Sequence, residues 1–216
     1  MKDYGEVRDK MIKTITFDFG GVLYDYDGKK LLKRLASQCR ENLGELEDIL
    51  EDSSLDRAHF RGELEAEELL NLLKDQVGLK MTKDQLAQAY ADSVTPKYEM
   101  FDLVRELEKN YNLQLYSDAP KVLYKHVMTE MPIYDLFSDV TLSFRVGKLK
   151  DSSEGHREVI EKSGHSPEEI IFIDDRDEFV KQAKELGING IKFEDIGALT
   201  KKLREFGVKL NGKFEI

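Results

Sequence analysis

Short runs of apolar residues alternate with longer amphipathic segments along most of this chain. Five runs have the length and composition of buried strands, and they lie at 12–17, 113–116, 140–142, 170–173 and 190–193. Amphipathic segments such as 98–110 and 176–186 separate several of these runs and carry apolar residues at helical spacing. Buried strands separated by helices are typical of a parallel sheet. The pattern therefore predicts an α/β fold.

A long insertion separates the first two predicted strands. Helical patterns follow one another at 29–42, 46–51, 65–77 and 83–92, and no strand pattern interrupts them. A crossover between parallel strands needs only one helix. We therefore expect a helical cap at 28–95 and an α/β core formed by 1–27 and 96–216. A cap above the sheet edge would shield a site from water. The alternative is that these helices only pad the core.

Composition narrows the classes of protein that this chain can belong to. Among its 216 residues 40% are hydrophobic and 35% are charged, which indicates a folded protein with a substantial core. The net charge of -10 argues against a nucleic-acid binder. No apolar run approaches the roughly 20 residues of a membrane span. The amino terminus lacks an apolar signal segment and Cys39 is the single cysteine, so we expect a cytoplasmic protein.

Acidic residues follow two of the predicted strands. Asp18 ends the first apolar run and is followed by Gly20 and Gly21, whereas Asp174 and Asp175 end the run at 170–173. The carboxyl ends of parallel strands meet at one edge of the sheet, where ligands bind in open α/β folds. Three carboxylates at that edge predict a site for a hard cation.

Two further polar positions complete an ordered set of motifs. Ser117 follows the second strand in the segment LYSDAP, and Lys150 ends the segment SFRVGKLK. With Asp18 first and the acidic pair last, this order resembles that of the haloacid dehalogenase-like superfamily of phosphohydrolases. The resemblance covers essentially the whole chain and implies a Rossmann-like parallel sheet core with an inserted α-helical cap. Segments 18–23 (DFGGVL), 60–63 (FRGE) and 146–150 are most similar to the branch of α-glucose-1-phosphate phosphatases and epoxide hydrolase amino-terminal phosphatase domains.

This resemblance implies a role for each matching residue. Asp18 would be the nucleophile that forms an aspartyl-phosphate, Ser117 would hydrogen-bond the phosphoryl group, and Lys150 would balance its charge. Mg²⁺ would be held by Asp18, the Gly20 carbonyl and Asp175, with Asp174 in close support. Specificity would lie in the cap near Arg61, and Ser117 and Asp118 would also contact the substrate, a small phosphorylated metabolite.

Some positions depart from the pattern of the family. Many relatives carry a second aspartate, an acid and base, two residues after the nucleophile, where this chain has Gly20. Asp118 and Phe179 stand where asparagines are frequent, and Asp151 stands where a proline usually follows the lysine. An additional carboxylate at Asp118 would either add negative charge to an anion site or supply the missing proton transfer.

Bland interpretations remain open beside the functional ones. Ser117 could cap the helix that begins near Pro120. Asp174 and Asp175 could cap the helix predicted at 176–186, which follows them directly. Either Lys148 or Lys150 could be the phosphate lysine or a solvated surface residue.

Three functions also compete. The sequence favours a Mg²⁺-dependent phosphatase; a weakened relative that binds a phosphorylated ligand or a protein is the alternative. A dehalogenase is disfavoured, because it needs no cation and carboxylates would repel a haloacid.

Overall fold

The computed structural model describes residues 11–39, 44, 46, 53–211 and 214. Within this described part, seven strands form two sheets. In chain order the strands are β1 (Thr14–Phe17), β2 (Tyr24–Tyr26), β3 (Val94–Pro96), β4 (Asn112–Ser117), β5 (Asp139–Leu142), β6 (Ile170–Asp174) and β7 (Asn189–Lys192). The larger sheet is parallel and has the strand order β5-β4-β1-β6-β7. The prediction of a parallel α/β fold is confirmed, and each predicted apolar run overlaps one of these five strands.

The central strands are buried on both faces because helices cover the two sides of the sheet. Every residue of β1 and β6 is buried. This explains why their sequences consist of apolar residues and buried threonines up to Asp174 and lack the exposed charged positions of a half-buried strand. The side chains of Tyr116, Phe172 and Phe179 belong to one apolar cluster, and those of Phe17 and Ile173 belong to another. Alternation along the strands therefore separates two packed layers.

Ten helices are described along the chain. They are α1 (Gly28–Ala36), α2 (Ser53–Phe60), α3 (Ala66–Val77), α4 (Lys83–Asp92), α5 (Tyr98–Leu107), α6 (Lys121–His126), α7 (Ser143–Val146), α8 (Ser153–Ser163), α9 (Asp177–Glu185) and α10 (Ile196–Glu205). Short 3₁₀ turns lie at Met128–Glu130, Tyr134–Leu136 and Pro167–Glu169. None of these described helices is long and apolar enough to cross a membrane.

The predicted insertion contains helices whose ends the sequence specifies locally. Helix α4 begins after Thr82, whose hydroxyl accepts the Gln85 N–H at 3.2 Å. Helix α3 ends at Gly78, whose φ of 64° is the left-handed conformation that glycine adopts without strain. The prediction at 29–42 corresponds to the shorter helix α1. The prediction at 46–51 lies, apart from the helical Leu46, outside the described residues.

A two-stranded antiparallel ribbon is a feature that the sequence pattern did not predict. Strands β2 and β3 pair over three residues each, with Asp25 opposite Thr95. They are too short to show a clear alternation of apolar and polar residues. The ribbon joins the two ends of the helical insertion and spans the expected boundary at 95/96. The division into core and cap stays a prediction.

Side-chain contacts tie the insertion to the rest of the molecule. The Lys121 ammonium lies 2.6 Å from Glu65 Oε1, and the Arg57 guanidinium lies 2.6 Å from Asp151 Oδ2. The buried Ser143 hydroxyl donates to the Phe60 carbonyl at 2.7 Å. Phe60 ends helix α2, so this last bond holds the end of that helix over the carboxyl edge of the sheet.

Candidate active site

The register of the central strands brings Asp18 and Asp174 side by side. Phe17 pairs with Ile173 across β1 and β6, and the Asp18 N–H donates to the Ile173 carbonyl at 2.9 Å. Both aspartates are buried, with 8% and 0% of their surface exposed. Ligand oxygens of Asp18, Asp174 and the partly exposed Asp175 all lie within 4.8 Å of one another. The structure therefore brings together the three carboxylates that the sequence placed at this edge.

A buried ammonium lies between two of these carboxylates. Lys150 Nζ is 2.6 Å from Asp18 Oδ1 and 2.7 Å from Asp174 Oδ2. Only 1% of the Lys150 surface is exposed, whereas Lys148 is exposed. Burial thus separates the two lysines that the sequence left open: Lys150 belongs to the acidic cluster and Lys148 lies at the surface. Burial alone would lower the pKa of Lys150, but the carboxylates outweigh it and the pKa is raised.

Three aromatic rings enclose the same ammonium. Lys150 Nζ lies 5.2, 5.5 and 5.6 Å from the ring centroids of Tyr116, Phe172 and Phe179, distances at which cation–π attraction operates. Phe179 stands where asparagine is frequent in the family that the motifs resemble, and here its ring excludes water from the ion pairs. Gly155 leaves room for the Tyr116 ring, because a β-carbon at that position would overlap the phenol.

Asp118 fixes the backbone that carries Lys150. Its two carboxylate oxygens accept the Lys150 N–H at 3.0 and 3.1 Å. Burial raises the pKa of Asp118, and the nearby Lys150 ammonium acts against that rise. The contact gives Asp118 a structural role in addition to the substrate contact or proton transfer expected from the sequence. Asp118 also lines the cavity described below.

Ser117 ends strand β4 with its side chain buried beside this cluster. Among the described residues its hydroxyl makes one long contact of 3.4 Å, to the Asp118 carbonyl. Within the described chain, helix α6 begins after Pro120 without a side-chain cap, so the interpretation of Ser117 as a helix cap is wrong. Asp174 Oδ1 accepts the Arg176 N–H at 2.9 Å just before α9. The N-cap of α9 is Arg176, without a side-chain cap bond, so the interpretation of the acidic pair as a helix cap is also wrong.

The two glycines after Asp18 differ in what they require. Gly21 has a φ of 76°, and a β-carbon there would overlap the Asp175 carboxylate. A side chain at Gly21 would therefore displace one of the three acids. Gly20 lies outside the left-handed region, and a β-carbon there would meet nothing within 4 Å. The backbone at Gly20 can thus carry a side chain.

Arg61 is placed differently from the sequence expectation. Its guanidinium binds both oxygens of Glu63, at 2.8 and 2.7 Å. The adjacent Gly62 packs against the Phe144 backbone. Among the described residues, those that line the cavity beside Asp18 do not include Arg61. Arg61 is therefore paired with Glu63 and lies outside the lining of this cavity.

A cavity of about 390 Å³ lies over the acidic cluster. Its floor contains Asp18, Ser117, Lys150 and Asp175. Aromatic side chains from the insertion and its ribbon form another wall: Tyr26, Phe60 and Tyr90. Sequence reasoning missed the two tyrosines, because Tyr26 belongs to the unpredicted ribbon and Tyr90 lies on the buried side of an ordinary amphipathic helix.

The residues of the cluster suit a divalent cation. Three carboxylates and one ammonium give a formal charge of about -2 when all are ionised. Burial raises the pKa of Asp18 to about 7, although Lys150 acts in the opposite direction, so a cation near Asp18 would favour its ionised form. Carboxylate oxygens are ligands that Mg²⁺ prefers. Asp18, Asp174 and Asp175 therefore have the chemistry of a magnesium site.

Comparison with known proteins gives consistent relatives. A family model described as a haloacid dehalogenase-like hydrolase matches residues 12–188. The chain is 30% identical over 200 residues to a D-ribitol-5-phosphate phosphatase from Bacteroides thetaiotaomicron, covering 86% of this chain and 93% of the relative. It is 26% identical to a sesquiterpene phosphatase from Aspergillus oryzae, covering 89% and 95% of the two chains.

A solved structure shares the fold over nearly its whole length. It is a haloacid dehalogenase family enzyme from Bacteroides thetaiotaomicron in complex with magnesium and inorganic phosphate. The TM-score is 0.74 at 25% identity, and the match covers 87% of this chain and 98% of that one.

The buried ion pairs lead to a stability prediction with a matched control. Lys150→Met would leave two carboxylates buried without their cation, so it should lower the free energy of unfolding by about 3–5 kcal/mol. Lys148→Met, two residues earlier and exposed, should change it by less than about 0.5 kcal/mol. Urea denaturation of both variants in metal-free buffer measures the difference; equal losses would contradict the burial argument.

Proposed function

Because this chain belongs to the haloacid dehalogenase-like hydrolase family, we propose that it is a Mg²⁺-dependent phosphatase that hydrolyses a small phosphorylated metabolite through an aspartyl-phosphate on Asp18. One observation carries this proposal most directly. A buried carboxylate at the carboxyl edge of the sheet is paired with a buried lysine and lies beside two further acids at the floor of a cavity.

In the proposed first step, an oxygen of Asp18 attacks the phosphorus atom of the bound ester. The new bond joins Asp18 to phosphorus, and the bond between phosphorus and the alcohol oxygen breaks. The Lys150 ammonium, 2.6 Å from Asp18 Oδ1, orients this carboxylate and offsets the negative charge of the phosphoryl group. The Ser117 hydroxyl has one long contact within the described part of the chain, to the Asp118 carbonyl, and would donate to a phosphoryl oxygen.

In the second step, water attacks the phosphorus atom of the aspartyl-phosphate. The bond between phosphorus and Asp18 breaks, which releases inorganic phosphate and restores the carboxylate. Asp18, the Gly20 carbonyl and Asp175 would hold Mg²⁺, with Asp174 in close support. The cation would neutralise charge on the phosphoryl oxygens and so reduce their repulsion of the Asp18 carboxylate.

Relatives support this chemistry without specifying the organic group. The names of the two curated relatives describe phosphatases for a polyol phosphate and for a sesquiterpene, and the similar solved structure contains magnesium and phosphate. The narrower resemblance to glucose-1-phosphate phosphatases and epoxide hydrolase domains stays a prediction. A single half-buried thiol, Cys39, fits the cytoplasmic location expected from the sequence.

Gly20 favours a second candidate, a phospho-ligand or protein-binding module with weakened catalysis. An acid and base at this position would protonate the leaving alcohol and then activate water, which typically contributes about 10²–10⁴-fold. The cluster of Asp18, Ser117, Lys150 and Asp175 favours the enzyme, since a binding site needs no nucleophile paired with a lysine. A dehalogenase is disfavoured further because Asp174 and Asp175 lie against Asp18.

Replacing the nucleophile should abolish turnover. Asp18→Asn cannot form an acyl-phosphate, so hydrolysis of an aryl phosphate and the acid-stable labelling of the protein by a radioactive phosphoryl donor should both be lost. Asp25→Asn is the matched control, because Asp25 lines the same cavity but pairs with Lys97 rather than with the acidic cluster. An aryl phosphatase rate that survives in folded Asp18→Asn would disprove the mechanism.

Magnesium should stabilise the folded protein by mass action. Saturating Mg²⁺ at about 100 times its Kd should add about 2.7 kcal/mol of stability and raise the Tm. The shift should shrink in Asp175→Asn and should persist in Asp177→Asn, an exposed acid two residues later that pairs with Lys192. Thermal melts with and without Mg²⁺ test this, and equal shifts in both variants would place the cation elsewhere.

Restoring a carboxylate at Gly20 should help poor leaving groups selectively. The wild type should hydrolyse aryl phosphates much faster than alkyl phosphates, because a phenol leaves without much protonation. Gly20→Asp should raise the rate for alkyl phosphates by up to about 10²–10⁴-fold, since the backbone there accepts a side chain. Gly20→Asn is the matched control that cannot transfer the proton. Equal wild-type rates for both ester classes would show that another group already supplies it.

A further inference from the structure

A second cavity lies inside the helical insertion, beside the one over Asp18. Its volume is about 230 Å³, far above the roughly 10–15 Å³ that holds a single water. Three side chains line both cavities and form their common boundary: Tyr26, Phe60 and Tyr90. We call the second cavity the leucine chamber. The chamber therefore lies next to the region where a phosphate ester would bind, with these three side chains between the two cavities.

The walls of the leucine chamber are predominantly aliphatic. Six leucines from three helices line it: Leu31, Leu32, Leu35, Leu69, Leu73 and Leu86. Four of them are nearly fully buried, with between 1% and 6% of their surface exposed. An aliphatic cavity of this kind favours an apolar group and penalises hydroxyl groups, which would lose their hydrogen bonds to water on entry.

The polar groups of the chamber do not change this character. Asp56 is exposed and Tyr26 has 47% of its surface exposed, so both lie toward solvent. His59 is buried, and its Nδ1 lies 2.8 Å from the Leu64 carbonyl, which must accept from it. Its Nε2 has no partner among the described residues. Tyr90, which is 5% exposed, adds its hydroxyl to the lining. Among the described residues the chamber therefore offers two buried polar groups, whereas a polyol would need several partners.

From this arrangement we infer that the substrate is a phosphate monoester of an apolar alcohol, whose hydrocarbon group occupies the leucine chamber while its phosphate lies at Asp18. This inference rests on the proposed phosphatase function and specifies its substrate class. Phe60 is held in place by the bond from Ser143 to its carbonyl, so the common boundary is fixed on one side. Tyr26, half exposed and on the short ribbon, belongs to the same boundary.

The experiment varies the hydrocarbon at constant leaving-group quality. Phenyl, 4-methylphenyl, 4-ethylphenyl and 4-propylphenyl phosphate release phenols of similar acidity, and kcat/KM is measured for each with Mg²⁺ present. Each added carbon should raise kcat/KM about fourfold until the chamber is filled. The polar counterpart is 4-(hydroxymethyl)phenyl phosphate, which has the same number of heavy atoms as the ethyl compound and should be at least about tenfold slower.

A pair of variants connects any such trend to the chamber. Leu69→Phe reduces its volume and should lower kcat/KM for the propyl compound at least about tenfold, with phenyl phosphate changed less than about twofold. Leu72→Phe is the matched control, a half-buried leucine on the same helix α3 that does not line the chamber, and it should leave the series unchanged. If Leu69→Phe fails to fold by circular dichroism, the wild-type series and the ethyl and hydroxymethyl pair decide the question.

The outcomes separate this inference from the function on which it rests. A flat wild-type series, or a hydroxymethyl compound as fast as the ethyl one, overturns the apolar substrate class while Asp18-dependent hydrolysis of phenyl phosphate upholds the phosphatase. Phenyl phosphate hydrolysis that is absent, or equal in Asp18→Asn, overturns both.

Discussion

The burial of one ammonium between two carboxylates is the constraint around which this molecule is arranged. Ions taken out of water are costly unless they are paired closely and bonded fully. The Lys150 ammonium meets that condition through its ion pairs with Asp18 and Asp174. The Asp118 carboxylate accepts the Lys150 backbone N–H and so fixes the chain that carries the ammonium. The rings of Tyr116, Phe172 and Phe179 then keep water from the pair. The same aromatic side chains thus pack one face of the sheet and surround the charged groups at its edge.

The two halves of the site come from different parts of the fold. The sheet supplies charge on short turns that follow buried strands, where the register leaves little freedom of position. The insertion supplies apolar walls on helices that are tied to the sheet by a few polar contacts, such as that of Ser143 with the end of helix α2. This separation suits the proposed chemistry, because the phosphate meets a rigid polar floor and the organic group meets an aliphatic surface that can vary independently.

The sequence was sufficient where burial on both faces leaves a run of apolar and β-branched residues. Strands β1 and β6, and the acids that end them, could be located for that reason. It was insufficient where position depends on distant packing. Nothing local distinguishes Lys150 from Lys148, since the difference lies in which one reaches Asp18. The strands β2 and β3 are too short to show a periodic alternation of apolar and polar residues. The pairing of Arg61 with Glu63 depends on the orientation of their side chains, which the sequence spacing does not determine. Asp118 departs from the asparagine that is frequent at this position of the family. Its bond to the Lys150 backbone N–H depends on a turn that the sequence pattern does not reveal.

The partial neutralisation of the acidic cluster by Lys150 bears on whether the arrangement of these acids depends on a bound metal. Small zinc domains remain unfolded until their metal arrives, because nothing else holds their ligands together. In this chain the Lys150 ammonium supplies a positive charge, and it holds Asp18 and Asp174 in place once the sheet has formed. The arrangement of Asp18 and Asp174 therefore does not depend on a bound metal. A magnesium ion held at this cluster would then be able to exchange with the surrounding solution while Lys150 keeps these two acids in place.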